Sequence, residues 1–268
     1  MAAAPALPVF DPSRPLKISS REFANHQFDW YRWLLEETPV TTSRLAGMKV
    51  SLVARYDDCR MLLTDPRFIR NRARARGKPG TNPSPLPIPL PKSVAAMAIS
   101  MIVQDDPAHR RLRNLVNKAF TAHAVAKLGD RVESLSHALL DRLQKESRFD
   151  VLEAYAHPIP TVVIAEMMGV DGEDASRLES VIMALKSGLS ATAMARALVW
   201  DLPRAARFVR ALIEAKRREP GEDILSALIQ AEEEGDRLSS DELLAMAFLL
   251  MIAGFETTQH LITNGVRL

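Results

Sequence analysis

Cysteine and aromatic residues are scarce in this sequence. Among its 268 residues there is one cysteine, Cys59, and Phe, Trp and Tyr together make up 6%. A single cysteine excludes a disulfide within the chain, which is typical of proteins in a reducing compartment. We therefore expect a cytoplasmic protein stabilised by an apolar core, since 47% of the residues are hydrophobic.

An excess of charge of one sign is absent as well. Lys and Arg number 35 and Asp and Glu number 33, which gives a net charge of +2. Nucleic-acid-binding domains are typically basic overall or carry a clustered basic face. The charge balance therefore gives no reason to expect a nucleic-acid partner.

Long hydrophobic runs are also absent. The N-terminus lacks the basic and apolar regions of a signal peptide. The longest apolar run, Leu243–Phe255, is shorter than the roughly 20 residues that span a membrane. We expect no membrane anchor and interpret this run as a helix of the protein core.

The distribution of proline, glycine and apolar residues predicts a mostly α-helical fold with a small N-terminal β-sheet, in a single domain over residues 1–268. Residues 1–20 form a proline-rich lead-in, and β-branched residues in alternation predict a β-hairpin over 40–56. Prolines within residues 67–102 predict a long loop. Apolar periodicity then predicts a series of helices, one from Asp106 and others at about 123–145, 158–168, 173–188, 203–218, 222–233 and 240–267.

The last predicted helix contains an unusual combination of residues. Ser239 and Glu242 form the capping-box pattern S-x-x-E, which starts a helix, and an apolar run follows. The segment A-G-F-E-T-T then brings Gly254, Glu256 and Thr257 into one turn. A glycine lets a ligand approach the backbone, and a threonine hydroxyl can bond the carbonyl four residues back. Either a ligand site lies at this turn, or the helix simply leaves the core at Glu256.

The helix that starts near Asp106 carries a cluster of cations. Asp106 and Pro107 suit the cap and the first turn of a helix. His109 and Arg113 are four residues apart and therefore share one face. Together they offer hydrogen-bond donors to an anion, and an arginine can bind a carboxylate through two parallel hydrogen bonds. The alternative is an ordinary amphipathic helix with a solvated basic face.

Several segments of the sequence match one known family in content and in order. The segments Q-D-D-P-A-H-R-R-L-R-N-L-V-N-K-A-F-T, I-A-E-M-M-G-V, E-D-I-L-S-A-L-I and A-G-F-E-T-T follow one another along the chain. They resemble, respectively, the C helix, the end of the E helix, the H region and the I-helix signature of the cytochrome P-450 superfamily, the heme-thiolate monooxygenases. The resemblance covers almost the whole chain and is to the soluble bacterial members.

The resemblance implies roles for the candidate residues. Ala253 and Gly254 would face the side of a heme b where oxygen binds. Thr257 would hydrogen-bond the oxygen, and Glu256 would relay protons so that the O–O bond is cleaved. His109 and Arg113 would bind the heme propionates, and Leu249 and Ile252 would line the substrate pocket. A ferredoxin-type electron donor would dock near Arg110, Arg111 and Lys118.

The same resemblance divides the chain into the family's regions. It places the B–C loop at 67–102, the F–G region at 171–220 with its lid near 185–200, and the I helix at 240–267. The B–C loop and the lid set substrate specificity in this family. We expect the substrate to be a small hydrophobic molecule.

Some family elements have no counterpart in this sequence. The K helix with its E-x-x-R, the L helix and the heme-binding loop F-x-x-G-x-x-x-C-x-G follow the I helix in the family, and nothing corresponding occurs before Leu268. That loop supplies the proximal thiolate, which favours O–O cleavage. Cys59 falls in the segment that resembles the B helix and is interpreted as a small buried residue. The expected fold is a truncated cytochrome P-450 fold, and the chain alone is expected to be inactive.

Three hypotheses from different classes follow. The first is an enzyme, a heme-dependent monooxygenase that uses electrons from a ferredoxin-type partner. The second is a non-catalytic product of a truncated gene, either a binding remnant or an unstable fragment. The third is a helical metal protein that uses Glu256 and His260, although dinuclear carboxylate sites pair Glu and His at a spacing of three on paired helices.

Overall fold

The computed structural model describes residues 16–18, 20–45, 48–75, 77, 92–97, 99–120, 122–170, 172–185, 196–233 and 235–268. Most of the predicted lead-in, the central part of the 67–102 loop and most of the lid near 185–200 lie outside these ranges. The chain divides into two compact units, Met1–Phe68 and Ile69–Leu268. The assignment of all 268 residues to one domain stays a prediction.

The first unit combines a β-hairpin with short helices. In order along the chain, its elements are α1 (Arg21–Asn25), α2 (Gln27–Glu36), β1 (Val40–Leu45), β2 (Met48–Val53) and α3 (Tyr56–Thr64). The two strands pair antiparallel, with Val40 opposite Val53, which confirms the predicted N-terminal sheet. Trp30 and Leu34 of α2 form a small core with Leu16.

The described part of the second unit is mostly helical, which confirms the predicted fold class. Its helices are α4 (Arg72–Ala75), α5 (Lys92–Met97), α6 (Ala108–Ala119), α7 (Ala122–Leu143), α8 (Pro158–Met167), α9 (Gly172–Leu185), α10 (Leu202–Arg218), α11 (Ile224–Gln230) and α12 (Ser240–Arg267). A 3₁₀ turn, Met101–Val103, precedes α6, and π-helical turns at Leu152–Ala156 and Ala197–Asp201 precede α8 and α10.

A second, very short hairpin precedes the last helix. Strands β3 (Glu232–Glu233) and β4 (Asp236–Arg237) pair antiparallel, and Gly235 between them has a φ of 81°. A positive φ is unfavourable for residues with a Cβ, so glycine suits this turn. No sequence pattern predicted this hairpin.

Helix α12 begins at the predicted position and runs through the core of the second unit. The Ser239 side chain accepts from the Glu242 N–H, and the Glu242 side chain accepts from the Ser239 N–H, which confirms the capping box. Leu243 to Phe248, Met251 and Phe255 are buried. On length and composition alone, α12 is the one helix among the described residues that could cross a membrane. Its buried first half supports the interpretation as a core helix.

The start of α6 differs from the sequence prediction. Pro107 occupies the cap position, and no side chain caps the helix. The Asp106 carboxylate instead accepts a hydrogen bond from Arg110 Nη2 at 2.7 Å. The prediction of Asp106 as the cap was therefore wrong, because the carboxylate binds a cation on the first turn and not the backbone N–H groups.

The loop before α6 is held at both ends by Asp105. Its Oδ1 accepts from the Arg70 N–H at 2.7 Å, and its Oδ2 accepts from the Asn71 N–H at 3.2 Å. The two backbone groups lie more than thirty residues earlier in the chain. One carboxylate thus joins the two ends of the proline-rich segment.

A buried ion pair connects α10 with α11. Lys216 Nζ lies 2.7 Å from Asp223 Oδ2, and their side chains are 16% and 7% exposed. The same carboxylate caps α11 by accepting from the Ser226 N–H at 2.7 Å. Asp223 therefore holds the end of one helix against the start of the next.

Candidate functional site

The turn Ala253–Thr257 contains the hydrogen bond that the sequence predicts. Thr257 Oγ1 donates to the Ala253 carbonyl oxygen at 2.6 Å. This places the hydroxyl hydrogen on the backbone of its own helix. The two lone pairs of the hydroxyl oxygen are then its remaining hydrogen-bonding capacity.

One face of α12 is open along this turn. Ile252 is 43% exposed, and Ala253, Glu256 and Thr257 are exposed as well. These positions repeat at helical spacing, so they form one stripe, whereas Phe255 remains buried among core residues. The helix therefore does not simply leave the core at Glu256, since it keeps one buried face and exposes another.

Glu256 lies at the solvent-facing edge of this stripe. Its side chain is 52% exposed, and its Oε1 lies 3.7 Å from His260 Nε2, one turn later. Within the described ranges, no group of three or more His, Cys, Asp or Glu side chains could hold a metal ion. The structure thus gives no support to a metal site built on Glu256 and His260.

Gly254 has a neighbour that the sequence does not reveal. A Cβ at this position would lie 3.3 Å from Ile164 Cδ1 and 3.4 Å from Cγ1, on α8. Close packing of α12 on α8 therefore offers a second explanation for the glycine. The expectation that Gly254 leaves space for a ligand, and its role in cofactor binding, stay predictions.

The predicted donor pair lies on α6 without a strong partner. His109 Nδ1 lies 3.4 Å from Asp106 Oδ1, and Arg113 is exposed. Among the described residues, none of the hydrogen bonds of these two side chains reaches α12. Both side chains thus remain accessible to an anion, as the sequence predicts, although their assignment to propionates is untested.

The other cations of α6 differ sharply from one another. Arg110 is 74% exposed and pairs with Asp106 on its own helix, and this guanidinium holds the pKa of the Asp106 carboxyl below its ordinary value. Arg111 instead binds Asp236 at 3.0 Å and also Glu242. Lys118 is exposed in the last turn. Arg111 therefore links α6 to two distant parts of the chain through partly exposed ion pairs, which the sequence did not predict because both partners lie far along the chain.

The predicted substrate-pocket residues do not share one environment. Leu249 is partly buried and packs against the main core, whereas Ile252 belongs to the open stripe. A separate groove of about 450 Å³ lies along another side of α12 and is lined by Val132, Ser136, Tyr155, Ile159, Pro160, Val163, Ile164, Met167, Gly254, Thr258 and Ile262. The substrate role of Leu249 and Ile252 stays a prediction.

The donor set fits part of what a heme requires. His109 and Arg113, the accessible donors on α6, suit the two propionate carboxylates of a heme. The open stripe of α12 places the small Ala253 beside the hydroxyl of Thr257. The thiol of Cys59 donates to the Val53 carbonyl at 3.3 Å and belongs to the first unit. It is therefore engaged inside that unit, although it is only partly buried and not fully buried as predicted.

Comparisons with known proteins identify relatives of this chain. The family model "Cytochrome P450" matches residues 77–266. Cytochrome P450 107B1 of Saccharopolyspora erythraea is 37% identical over 91% of this chain and 59% of its own length. The 6-deoxyerythronolide B hydroxylase of the same organism is 35% identical over 90% and 60%, respectively.

A solved structure shows the same fold. The bacillaene polyketide synthase cytochrome P450 PksS of Bacillus subtilis 168 superposes with a TM-score of 0.78 and 31% identity, over 94% of this chain and 60% of that one. The chain thus spans about 60% of the length of the relatives it matches. On the family match and the shared fold, the chain belongs to the cytochrome P450 family.

Proposed function

We propose that the protein is a heme-dependent monooxygenase that inserts one oxygen atom of O₂ into a small hydrophobic substrate, with electrons from a ferredoxin-type partner. The proposal concerns the whole protein, because the chain spans 59% of the length of a close relative. The observation that carries it is Thr257, whose hydroxyl lies on the open stripe of α12 with its hydrogen bonded to Ala253.

The role proposed for Thr257 follows from that bond. Because its hydrogen is engaged at 2.6 Å by the Ala253 carbonyl, the hydroxyl oxygen presents its lone pairs to the open face. Thr257 would therefore accept a hydrogen bond from a protonated group held beside this face. The heme, when bound, would supply the redox chemistry and the activation of O₂.

Glu256 is proposed to deliver protons to this turn. Its carboxylate is half exposed, so it can exchange protons with solvent. It directly precedes Thr257 in the sequence, and positioned carboxylates are common general acids and bases. The nearby His260 can take part in the same exchange, since its imidazole lies within 3.7 Å of the carboxylate.

His109 and Arg113 are proposed to bind the heme propionates. They lie on one face of α6, and neither is held by a strong internal ion pair among the described residues. A charge-assisted bond from arginine to a carboxylate is stronger than a neutral one. Ala253 would leave room beside the heme, because its side chain is a single methyl group on the open stripe.

The remaining assignments rest mainly on position. Ile252 extends the open stripe and Leu249 lies three residues earlier, so we keep both as substrate contacts. Arg110 and Lys118 are exposed cations on α6 and suit an acidic redox partner. A cytoplasmic location is proposed on the single cysteine, which favours a reducing compartment.

The first test is the intact mass of the protein from its native source. A mass well above 29.7 kDa, with a peptide that contains the cysteine loop, would support the monooxygenase. A mass near 29.7 kDa would contradict it and favour a non-catalytic product. If the mass is the larger one, the reduced, CO-treated holoprotein should show the absorbance typical of a thiolate-ligated heme.

The role of Thr257 is tested by its coupling of oxygen use to product formation. The substrate is first identified by the change that it causes in the heme absorbance spectrum. Thr257→Ala should then lower the amount of product formed per O₂ consumed by about 100-fold, the low end of positioned proton-transfer effects. Thr258→Ala is the matched control, because Thr258 lines the groove on the other side of α12. Equal coupling in the two variants would contradict the assignment.

A further inference from the structure

We infer that Arg111 is a positioning residue, which fixes the donor-bearing helix α6 to the first turn of α12. The inference rests on the proposed function, since the donors it positions are those proposed to bind the heme carboxylates. It replaces the expectation that Arg111 belongs to a surface for a redox partner.

The Arg111 guanidinium is bound by two carboxylates from distant parts of the chain. Its Nη1 donates to Asp236 Oδ2 at 3.0 Å and lies 3.2 Å from Oδ1, and its Nη2 donates to Glu242 Oε1. These partners follow Arg111 by 125 and 131 residues. A planar guanidinium can serve both at once because its donors point in fixed directions. Arg111 therefore joins α6, β4 and α12.

Glu242 is a partner whose own position is fixed. Its Oε2 accepts from the Ser239 N–H at 2.8 Å, and its N–H donates to Ser239 Oγ at 3.3 Å. The carboxylate that Arg111 binds is thus part of the capping box of α12. The Arg111 and Glu242 side chains are 36% and 18% exposed, so solvent screens this pair less than a fully exposed one.

Arg111 points away from the side of α6 that carries His109 and Arg113. At about 100° per residue, Arg111 lies roughly 160° around the helix from both His109 and Arg113. The helix is therefore attached on one side and presents its donors on the opposite side. Because a helix of this length moves as a unit, the attachment fixes where those donors point.

Arg110 provides a matched control on the same helix. It carries the same charge but is 74% exposed and binds Asp106, four residues earlier and just before the start of α6. Its loss removes one positive charge from α6 without removing a link to another element. If Arg111 acted only through its positive charge, Arg110→Ala and Arg111→Ala would therefore lower the hemin affinity by the same factor.

The experiment compares hemin with hemin dimethyl ester, which lacks the propionate charges. The apoprotein of the full chain is titrated with each, and the quenching of tryptophan fluorescence gives the affinity. The variants are Arg111→Ala, Arg111→Lys and Arg110→Ala. Wild type should prefer hemin. Arg111→Ala should lower the hemin affinity by about tenfold, the worth of one charge-assisted hydrogen bond, and leave the ester affinity unchanged.

The conservative variants sharpen the expected result. Arg110→Ala should match wild type for both ligands. Arg111→Lys should fall between wild type and Arg111→Ala, because an ammonium group can bond one carboxylate well but lacks the planar fork that serves two.

Each contrary outcome has a distinct meaning. An equal loss for hemin and its ester in Arg111→Ala would show a structural role alone and overturn the inference. A hemin affinity equal to that of Arg110→Ala would overturn it as well. Wild-type protein that binds hemin no better than the ester, or binds neither, would refute the propionate role of His109 and Arg113, and the inference with it.

Discussion

Replacing Gly254 with alanine separates two explanations for a glycine in the middle of α12. In one, the glycine leaves room for a ligand; in the other, it allows α12 to pack closely on α8. The new Cβ would lie 3.3 Å from Ile164 Cδ1 and 3.4 Å from Cγ1. These distances are below the roughly 3.5–4.0 Å optimum between carbon atoms, so Ile164 or a helix would have to move.

The expected change in unfolding free energy is a difference of two effects. Alanine is favoured over glycine in a helix interior by about 1 kcal/mol, whereas overpacking a core costs about 1–3 kcal/mol. Ile164 is buried and cannot turn into solvent. Gly254→Ala should therefore destabilise the protein by about 0–2 kcal/mol. Gly129→Ala in α7, where nothing lies within 4 Å of the new Cβ, should stabilise it by about 1 kcal/mol.

Urea unfolding of both alanine variants, of Ile164→Val and of Gly254→Ala/Ile164→Val measures these effects. Valine lacks Cδ1, so the double variant should be more stable than the sum of the single changes predicts, by about 0.5 kcal/mol or more. Packing would be refuted as the reason for the glycine if Gly254→Ala stabilised as much as Gly129→Ala and showed no coupling with Ile164→Val.

Two further predictions concern charged groups. Asp223→Ala should lower the free energy of unfolding by about 3–5 kcal/mol, because it leaves the Lys216 ammonium largely buried and unpaired. Lys216→Met should lower it clearly less, since the Asp223 carboxylate keeps its bond to the Ser226 N–H. Equal losses of the two variants in urea unfolding would contradict this reasoning. The hydrogen bond from Arg110 lowers the pKa of Asp106 below 3.8, so the pair's contribution to stability is complete above that pH and is lost as the pH falls through the lowered pKa. An NMR titration of the carboxyl should show its midpoint move up in Arg110→Ala, and an unmoved midpoint would disprove the cause.

Local signals were sufficient to predict much of the helical fold. Helix α12 begins where predicted because Ser239 and Glu242 satisfy its first N–H groups through neighbours in sequence. The bond from Thr257 to Ala253 was likewise predictable, since both atoms belong to one helical turn. The β-hairpin followed from alternation within a dozen residues.

Features that depend on distant residues could not be predicted in this way. Ile164 packs beside Gly254, and Asp236 binds Arg111, but no local pattern connects either pair. Asp106 could not be predicted for a different reason. Both the backbone N–H groups of α6 and the Arg110 guanidinium are close enough in sequence to bind its carboxylate, and the structure shows the bond to Arg110. Strands of two residues, as in β3 and β4, are too short to produce a periodic signal.

The candidate site shows the same division. The donors on α6 and the hydroxyl on α12 were found because each segment has a recognisable local pattern. Which faces of α12 are open and which are packed became visible only in the structure, because burial depends on α8 and the rest of the core. The exposure of Glu256 and the different environments of Leu249 and Ile252 are of this second kind.

Asp105 holds together the chain on either side of the proline-rich segment within residues 67–102, so the length of that segment can change at little cost in free energy. Its carboxylate holds the backbone N–H groups of Arg70 and Asn71, so the ends of the segment are fixed whatever lies between them. The free energy of closing a loop grows only with the logarithm of its length, and doubling it costs about 0.6 kcal/mol. Insertions and substitutions in this segment would therefore leave α6 anchored at its start. The part of the segment that precedes α5 could therefore change in length at little thermodynamic cost, as long as Asp105 is retained.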